Sequence, residues 1–407
     1  MTRYAIVGTG YRSLFMFAKR MQQDKYKEYV SIVGIYDINP ARAKVYSEEC
    51  GGFDVYDDFD SMMDKAKPEV VIVTTVDAYH HEYIIRALKA GCDVISEKPM
   101  TTDEVKMQQI LDAEKESGKK VKVTFNMRYM PYSSKIKALL QENAVGDILQ
   151  VDLHWRLDKK HGADYFRRWH RRMDKSGSLL IHKSTHHFDL INWWLESKPA
   201  KVSAFGDRVF YGPTREETGE RCLTCKYKDS CDFYWDIESE ELYKKLYLGC
   251  EKEDGYIRDG CVFSPQIDIY DTMALNIKYQ NNVMVNYSLI TYSPYESWSV
   301  AITGTKGRLE AGEYYSGIKS KESCDYIRVY SGPAEELTYC IEKASGSHGG
   351  GDDLLIDNMI FGIKDEDPLK RNATSLDGAY SMLIGASANI SIRENKIVDV
   401  SKLINER

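Results

Sequence analysis

Strand-like and helix-like patterns alternate regularly through residues 1–125. Three apolar runs, Arg3–Val7, Val30–Tyr36 and Val70–Val76, are rich in β-branched residues, and stretches with helical spacing separate them. The continuous run Val70–Val76 is typical of a strand that is buried on both faces of a sheet. Short connections between alternating strands and helices predict βαβ units, which build a parallel sheet. We therefore predict an α/β fold.

The connection between the first strand and the first helix is the glycine-rich turn Gly8–Ser13. Gly8 permits a tight turn, and Gly10 lets a dinucleotide pyrophosphate approach the backbone N–H groups of the helix N-terminus. Ser13 replaces the third glycine of the usual fingerprint and is small enough for close helix–strand packing. An ordinary surface turn is the alternative. The position between strand and helix favours a dinucleotide site, with Tyr11 and Arg12 among its contacts.

Asp37 stands at the end of the second predicted strand. A carboxylate at this place accepts a hydrogen bond from the ribose 2′-hydroxyl and repels a 2′-phosphate, so it favours NAD over NADP. A solvated loop acid, or a cap for the turn at residues 39–41, is the alternative. Arg42 lies nearby in the sequence and could reach a 2′-phosphate, which leaves NADP as the less favoured cofactor.

The run Asp93–Glu97 predicts a strand whose carboxyl end carries Glu97, Lys98 and Pro99. Open parallel sheets bind ligands at this edge, although a Glu-Lys pair is more often a surface ion pair. Together with other motifs, the tripeptide resembles the glucose–fructose oxidoreductase and inositol dehydrogenase family, Gfo/Idh/MocA. The resemblance is carried by Gly8–Ser13, Tyr36–Ala43, Thr74–Asp77 with His80, Ala87–Gly91, Glu97–Pro99, Phe125–Tyr129, Gly146–Ile148 and Gly304–Gly307.

The resemblance implies an N-terminal Rossmann domain, residues 1–126, and a C-terminal α+β domain, residues 127–407, with an open, mostly antiparallel sheet. It also implies a homodimer or homotetramer. In the family, the lysine that matches Lys98 reaches both the nicotinamide ribose and the substrate hydroxyl, where a cation stabilises developing alkoxide while hydride leaves. The matching cofactor-side positions are Gly8, Gly10, Asp37, Thr75, His80, Glu97 and Lys98.

The segment Gly177–Asp189 matches the second catalytic segment of the family but departs from it at one position. The family carries an aspartate and, four residues later, a histidine, whereas here His182 replaces the aspartate and His186 matches the histidine. An imidazole titrates near neutrality, which suits a general base for alcohol oxidation. We expect His186 to be this base, assisted by His182 and Lys183. Buried structural histidines, or a metal site that includes Asp189, are the alternatives.

A basic and aromatic segment precedes these histidines, and five of the eight residues 165–172 are Arg or His. Aromatic faces suit sugar rings, and arginines suit carboxylates, sulfonates or phosphates. A solvated loop with salt bridges is the alternative. We expect a small carbohydrate substrate, either a glycoside or a sugar with an anionic group. The predicted substrate-binding residues are Arg128, Tyr129, Trp155, Arg168, Trp169, His170 and Lys183.

Cysteines crowd into residues 207–266, where strand and helix signals fade, which predicts an insertion in the second domain. Cys222, Cys225 and Cys231 have spacing that can chelate one tetrahedral ion, and some members of the resembling family carry a late cysteine that Cys261 matches. We expect these four residues to bind structural zinc. An iron–sulfur cluster or free buried thiols are the alternatives. Ordinary roles are predicted for the scattered Cys50, Cys92, Cys324 and Cys340.

Composition excludes several classes of protein. The 55 Lys and Arg residues against 62 Asp and Glu residues give a net charge of −7, the opposite of the basic surface that nucleic-acid binding needs. No apolar run approaches the ~18 residues of a membrane span, and the N-terminus lacks the ordered regions of a secretory signal. We therefore expect a cytoplasmic protein that binds neither nucleic acid nor membrane.

These features together predict an NAD-dependent oxidoreductase that transfers hydride between a ring carbon of a sugar or glycoside and nicotinamide. One alternative is a redox-neutral glycosidase that also uses NAD. In that reaction, transient oxidation acidifies the adjacent C–H, elimination breaks the glycosidic bond, and hydration and reduction complete the cycle. A second alternative is a non-catalytic sensor that binds NAD.

Overall fold

The structure, a computed structural model, describes residues 1–343, 347–362 and 367–405. Its strands form a parallel sheet of five strands and a second, mostly antiparallel sheet of nine strands. The predicted α/β fold, with a parallel first sheet and an open, mostly antiparallel second sheet, is confirmed.

The first sheet consists of β1 (Thr2–Val7), β2 (Val30–Tyr36), β3 (Val70–Val73), β4 (Asp93–Ser96) and β5 (Val121–Val123). Its order is β2-β1-β3-β4-β5, so the direction of winding reverses between β1 and β3. Open α/β sheets bind ligands at such a switch point, in the crevice outside the carboxyl ends of the strands.

The helices of the first domain begin at the capping residues that their sequences provide. Asn39, Asp58 and Asp103 each accept a hydrogen bond from a backbone N–H of the first helical turn. The helix after the glycine-rich turn is irregular, because a π-helical stretch interrupts it. Its parts are Tyr11–Ser13, Leu14–Ala18 and Lys19–Met21, and the other helices are Pro40–Glu49, Phe59–Ala66, His80–Lys89 and Glu104–Ser117.

The second sheet has the order β13-β12-β11-β10-β6-β9-β8-β7-β14. Within this sheet, among the described strands, only β6 and β9 pair in parallel. Buried and more exposed residues alternate along β8 and β9, as expected for a sheet that is packed on one face. The strands are β6 (Ile148–Asp158), β7 (Pro199–Asp207), β8 (Thr272–Tyr279), β9 (Met284–Ser293), β10 (Ser297–Gly304), β11 (Arg308–Tyr314), β12 (Cys324–Gly332), β13 (Glu335–Glu342) and β14 (Val398–Asp399).

The longest helix of the second domain, Ser375–Glu394, packs against both domains. A Cβ on its Gly378 would lie 2.8 Å from the Val123 side chain of β5. A Cβ on Gly385 would collide with the backbone carbonyl of Leu180. The helix therefore fixes the segment around Leu180 against the first domain. The other main helices are Pro131–Gln141, Lys159–Arg167, Met173–Ser176, Leu179–His182, Ser184–Leu195, Glu241–Leu246, Glu251–Asp254 and Gly351–Phe361.

The cysteine-bearing segment leaves the second sheet at the end of β7 and returns at the start of β8. These strands are antiparallel neighbours, and Asp207 pairs with Thr272 at the point of departure. Two of the segment's apolar residues, Ile237 and Leu246, are fully buried in a core cluster that includes Leu14 and Phe17 of the first domain. The segment is thus an insertion between two paired strands, and part of it packs on the nucleotide-binding domain.

Two of the cysteines for which ordinary roles are predicted form a disulfide. Cys324 in β12 and Cys340 in β13 are bonded, so their assignment to ordinary roles is wrong. Their spacing gave no signal, because only the pairing of β12 with β13 brings them together. Among the described helices, none combines the length and the apolar character that crossing a bilayer requires.

Replacing Gly162 by Ala tests the packing of helix Lys159–Arg167 on β9. The added Cβ would collide with the backbone carbonyl of Thr291, which cannot move without disturbing the sheet. We expect the free energy of unfolding to fall by about 2–3 kcal/mol, as for other overpacked sites. Urea denaturation followed by tryptophan fluorescence measures it. In the control, Gly249→Ala, the new Cβ lies 3.4 Å from the nearest atom; equal losses in both variants would contradict this packing.

Candidate active site

The glycine-rich turn after β1 has the geometry that its two glycines predict. Gly8 has a φ of +91°, and a Cβ there would lie 2.6 Å from the backbone of Thr74. A Cβ on Gly10 would have the Tyr247 hydroxyl as its nearest neighbour, at 3.6 Å. Gly8 is therefore required by its positive φ and by the close approach of the Thr74 backbone. Gly10, at a helix N-terminus, has no such steric requirement, because a Cβ there would be in ordinary contact distance of its nearest neighbour. This cradle fits the pyrophosphate of a dinucleotide.

Asp37 follows β2 at the same edge of the sheet. Its carboxylate accepts hydrogen bonds from the backbone N–H groups of Thr9, at 2.7 Å, and Asn39, at 2.8 Å. Arg42 lies 3.5 Å from the Asp37 carboxylate and 2.8 Å from that of Asp254. Asp37 thus caps the following turn and ties it to the glycine-rich turn, in the position of a ribose-binding acid.

His80 joins the loops that follow β3 and β4. Its Nδ1 lies 2.8 Å from the carbonyl oxygen of Pro99, and its Nε2 lies 3.1 Å from that of Thr75. Burial lowers the pKa of the ring. His80, predicted on the cofactor side, therefore holds together the backbone of the two loops that carry Thr75 and Lys98.

Arg12 connects three parts of the site through ion pairs. Its Nε donates to Glu97 at 2.9 Å, and its guanidinium also pairs with Asp352 at 3.1 Å. Glu97 is buried, and its carboxylate also accepts a hydrogen bond from the Lys98 backbone N–H. The peptide bond between Lys98 and Pro99 is cis. The glycine-rich turn, the end of β4 and the helix Gly351–Phe361 are thereby held together.

Lys98, Asp77 and His182 meet where the two domains face each other. His182 Nδ1 lies 2.5 Å from Asp77 Oδ2, and Lys98 Nζ donates to the backbone carbonyl of His182 at 3.2 Å. Asp77 and Lys98 follow β3 and β4, while His182 ends the short helix Leu179–His182 of the second domain. An amine, a carboxylate and an imidazole from distant parts of the sequence thus form one cluster.

Burial shifts the pKa values of this cluster against the charged forms. It lowers the pKa of His182 well below its ordinary value and raises that of Asp77 well above its own. Burial also lowers the pKa of Lys98 to about 8, although Asp77 and Glu97 favour the ammonium form. At neutral pH, Lys98 is therefore protonated and close to the pH at which it loses its charge. Such opposing shifts are typical of acid–base sites.

Aromatic and basic side chains surround the His182 ring. The ring centroid of His170 lies 4.1 Å from that of His182, and those of Tyr165 and Trp169 lie 5.6 Å away. Trp169 stacks on His170 at 3.6 Å. Burial, helped by the charge of Arg168, lowers the pKa of His170 well below its ordinary value. The structure therefore brings Arg168, Trp169 and His170, all predicted substrate residues, beside His182.

His186 lies in the next turn of the same segment and is buried. Its ring centroid lies 6.0 Å from that of Phe125, and its backbone N–H lies 3.3 Å from the carbonyl oxygen of Lys183. Lys98 Nζ reaches this segment at the backbone carbonyl of His182. His182, one of the two histidines assigned by sequence, therefore lies beside the amine.

Arg128 and Tyr129, expected to contact substrate, are instead part of the interior. The Arg128 guanidinium pairs with Asp189 at 2.6 Å and with Asp377 at 2.9 Å, and its side chain is 2% exposed. The Tyr129 hydroxyl donates to Asn358 at 3.1 Å. Both side chains are buried, and these partners engage their polar groups. Because Asp189 is bound to Arg128, the alternative metal site with the two histidines is not formed.

Trp155, also expected to contact substrate, lies in the core beneath the site. It is 3% exposed and stacks on His187 with ring centroids 3.9 Å apart. Lys183 Nζ lies 5.1 Å from the centroid of the same ring, a cation–π contact. Burial lowers the pKa of Lys183. Trp155 therefore supports Lys183 and leaves no free face for a sugar.

The four cysteines of the predicted metal site line one pocket: Cys222, Cys225, Cys231 and Cys261. Across the described ranges, however, no three His, Cys, Asp or Glu side chains are grouped so that they could hold a metal ion. Two of the sulfurs have arginine neighbours instead. Arg167 lies 3.1 Å from Cys222 Sγ and Arg215 lies 3.0 Å from Cys231 Sγ. The described residues thus support neither zinc nor an iron–sulfur cluster. None of the four cysteines is disulfide-bonded, and of the four only Cys222 is buried, so the alternative of free buried thiols fits Cys222 alone.

Two residues of the site were not assigned from sequence. Asp77 supplies a carboxylate to His182; its signals in the sequence were its place directly after the β3 run, at the ligand-binding edge, and its membership of the Thr74–Asp77 motif. Tyr247, from the insertion, accepts a hydrogen bond from the Tyr11 backbone N–H at 2.9 Å, across 236 positions of sequence. No local pattern around Tyr247 indicates that contact.

A parallel nucleotide-binding domain, a second sheet domain and an acid–base cluster where the two meet are the features expected of a two-domain oxidoreductase. Comparison with known families agrees. Residues 2–125 match the oxidoreductase family with an NAD-binding Rossmann fold, and residues 137–400 match the C-terminal alpha/beta domain of the same family. The chain belongs to the Gfo/Idh/MocA family, as its motifs predict.

Relatives and solved structures are similar over most of the chain. The YteT oxidoreductase of Bacillus subtilis (strain 168) is 36% identical, with 99% of each chain covered. Glucose-6-phosphate 3-dehydrogenase of the same strain is 28% identical, covering 54% of this chain and 67% of its own. The crystal structure of the WlbA dehydrogenase from Bordetella pertussis, in complex with NADH and UDP-GlcNAcA, superposes with a TM-score of 0.67 at 16% identity and covers 98% of each chain.

Replacing Arg128 by Met tests its structural placement. The change leaves the buried Asp189 without a counter-charge, so we expect a loss of about 3–5 kcal/mol in the free energy of unfolding. The control is Arg371→Met, which breaks a more exposed ion pair with Asp367 and costs about 1 kcal/mol or less. Denaturant unfolding compares the two variants. A loss for Arg128→Met no larger than that of the control would refute the structural role.

Proposed function

We propose that the protein is an NAD-dependent dehydrogenase that acts on a ring carbinol of a sugar or glycoside. The observation that carries the proposal is the cluster of Lys98, Asp77 and His182 in the cleft. It adjoins the carboxyl edge of a sheet whose glycine-rich turn fits a dinucleotide. A cation, an imidazole and a carboxylate in one cleft are the groups that alcohol oxidation needs.

In the proposed mechanism, Lys98 polarises the reacting hydroxyl and stabilises the developing alkoxide. When Asp77 is ionised, it accepts a hydrogen bond from the Nδ1–H of His182. This leaves Nε2 of the imidazole unprotonated, so Nε2 takes the substrate proton. Bound NAD supplies the acceptor for the hydride that leaves the ring carbon. His182 replaces His186 as the proposed base, because His182 has the contact with Asp77. His186 and Lys183 then orient the base and the substrate.

The charges around the cluster favour an anionic carbohydrate. Four cations lie within electrostatic reach of His170 and His182: Lys98, Lys183, Arg168 and Arg258. A carboxylate or phosphate on the sugar would be attracted by this group in a cleft of low dielectric. The relatives include an enzyme named for glucose-6-phosphate and a structure with UDP-GlcNAcA, both anionic sugars. Arg168 NH2 pairs with Asp164 at 2.8 Å, and a guanidinium has further N–H donors. We propose that Arg168 binds the anionic group through these remaining donors while Trp169 and His170 contact the ring.

NAD is the proposed cofactor, rather than NADP. Asp37 follows β2 at the carboxyl edge of the sheet, where a ribose-binding acid is expected, and Arg42 is already engaged by acidic partners. The open sheet of the second domain is the proposed surface for a homodimer or homotetramer.

Incubation with NAD and a panel of glycosides, uronides and sugar phosphates tests the reaction. We expect the NADH absorbance band to grow with one class of substrate, and mass analysis to find a product lighter by two hydrogens. Sugar release without net NADH would establish the redox-neutral glycosidase instead. If NAD binds but no substrate in the panel changes, the result favours the sensor.

Lys98→Met removes the proposed cation and should lower kcat by about 10²–10⁴-fold. NADH binding, measured by fluorescence, should change little, because the glycine-rich turn is intact. The matched control is Lys106→Met, since Lys106 pairs with Asp103 at the surface. If Lys98→Met and Lys106→Met both retained the wild-type kcat, Lys98 would have no part in catalysis.

The pH profile of kcat/KM reports on the same lysine. Because burial lowers the pKa of Lys98 to about 8, the ammonium form is present below that pH and is lost above it. We expect the rate of oxidation to fall as the pH rises through about 8. The Asp77–His182 pair, which must release its proton to act as a base, gives the acid limb. A rate that rises through pH 8 would mean that Lys98 acts as a neutral base.

A further inference from the structure

Part of the insertion covers the nucleotide-binding edge of the first domain. Residues 237–258, here called the clamp, contain Ile237 and Leu246, both fully buried in a core shared with Leu14 and Phe17. Burial of such apolar side chains stabilises the packed arrangement by about 1.5–3 kcal/mol each. The clamp is therefore anchored on the first domain by its own apolar residues.

The clamp contacts the glycine-rich turn through two tyrosines. Tyr247 is 7% exposed, and its hydroxyl oxygen accepts a hydrogen bond from the Tyr11 backbone N–H at 2.9 Å. The Tyr243 ring lies 5.0 Å from that of Tyr11. Because the Tyr247 oxygen is the acceptor in this bond, its own proton remains available to a further acceptor, such as a phosphate oxygen.

The clamp also engages the ribose end of the site. Arg42 Nε donates to the carbonyl oxygen of Leu246 at 3.2 Å, and its NH2 group pairs with Asp254 at 2.8 Å. Asn39 Nδ2 donates to the carbonyl oxygen of Cys250 at 2.9 Å. Arg42 is 8% exposed as a result. Arg42, the arginine predicted to reach a 2′-phosphate, thus anchors the clamp.

We propose that the clamp is part of the nucleotide site: Asp254 selects NAD by holding Arg42, and Tyr247 retains the bound dinucleotide by covering its pyrophosphate. This proposal rests on the dinucleotide use in the proposed function. It assigns two residues of the second domain to the recognition of a cofactor bound by the first.

Selectivity follows from the charges at the ribose end. A 2′-phosphate needs a free guanidinium, but Arg42 is engaged by Asp254 and lies 3.5 Å from Asp37. The two carboxylates would also repel the phosphate. The ribose 2′-hydroxyl of NAD carries no charge, so it neither needs a guanidinium nor is repelled by the carboxylates, and it can donate a hydrogen bond to Asp37.

Retention follows from the space at the turn. The Tyr247 hydroxyl lies 3.6 Å from the position of a Cβ on Gly10 and accepts the hydrogen bond of the Tyr11 N–H at 2.9 Å. A pyrophosphate bound at this N–H would take over that hydrogen bond, and the Tyr247 hydroxyl would then donate to a phosphate oxygen. In this arrangement entry and exit of the dinucleotide displace Tyr247, whose segment is held by its buried anchors. Motions of this kind limit the release of bound molecules in many enzymes.

Asp254→Asn tests selectivity with purified full-length protein and the two oxidised dinucleotides. Freeing Arg42 should lower the ratio of the NADP+ to the NAD+ dissociation constant about tenfold, the scale of a charge-assisted hydrogen bond. Asp254→Glu should restore the wild-type ratio. The matched control, Asp357→Asn, breaks the ion pair with Lys25 far from Asp37 and should leave the ratio unchanged. General damage would weaken both dinucleotides equally, and an unchanged ratio in Asp254→Asn overturns the selective role.

Tyr247→Phe tests retention by stopped-flow dissociation of NADH. Loss of the hydroxyl should speed dissociation about three- to tenfold, the effect of one hydrogen bond, whereas the control Tyr234→Phe, an exposed tyrosine of the same insertion, should match wild type. Slower dissociation or tighter binding in Tyr247→Phe would show that the hydroxyl competes with the cofactor, and would overturn the proposal. If wild type binds no dinucleotide, the proposed function itself is wrong. If wild type binds and the variants follow their controls, only the clamp proposal is wrong.

Discussion

The site depends on one pairing across the domain interface, between Asp77 of the first domain and His182 of the second. The two groups lie 2.5 Å apart, and Lys98 reaches the backbone of the same histidine. Hydrogen bonds weaken steeply with distance and angle, so the cluster exists only while the domains keep their relation. The helix Ser375–Glu394, with glycines closely packed on both domains, maintains that relation.

Burial sets the protonation states of the cluster. Desolvation disfavours every charge in it, so it moves the pKa of Lys98 and of His182 downward and that of Asp77 upward. Shifts of this kind, which oppose the ordinary charged forms, are typical of groups that transfer protons.

Sequence predicted the fold and the cofactor edge well, because both follow from local patterns. The β-branched run at Val70 has the pattern of a buried strand. The glycines at the first turn have the spacing of a turn that binds a dinucleotide. The failures are long-range. Arg128 has the motif of a site residue, yet its partners Asp189 and Asp377 become visible only when the chain folds. The replacement of an aspartate by His182 was visible in sequence, but its compensation by Asp77 was not.

The pairing of Asp207 with Thr272 has a further consequence. Because the insertion begins and ends at two paired residues of adjacent strands, it leaves the pairing of the other strands unchanged. The entropic cost of closing such a loop rises only slowly with its length. Changes of sequence within the insertion, which packs on the nucleotide-binding domain through Ile237 and Leu246, can therefore alter the surroundings of the glycine-rich turn while the acid–base cluster stays the same.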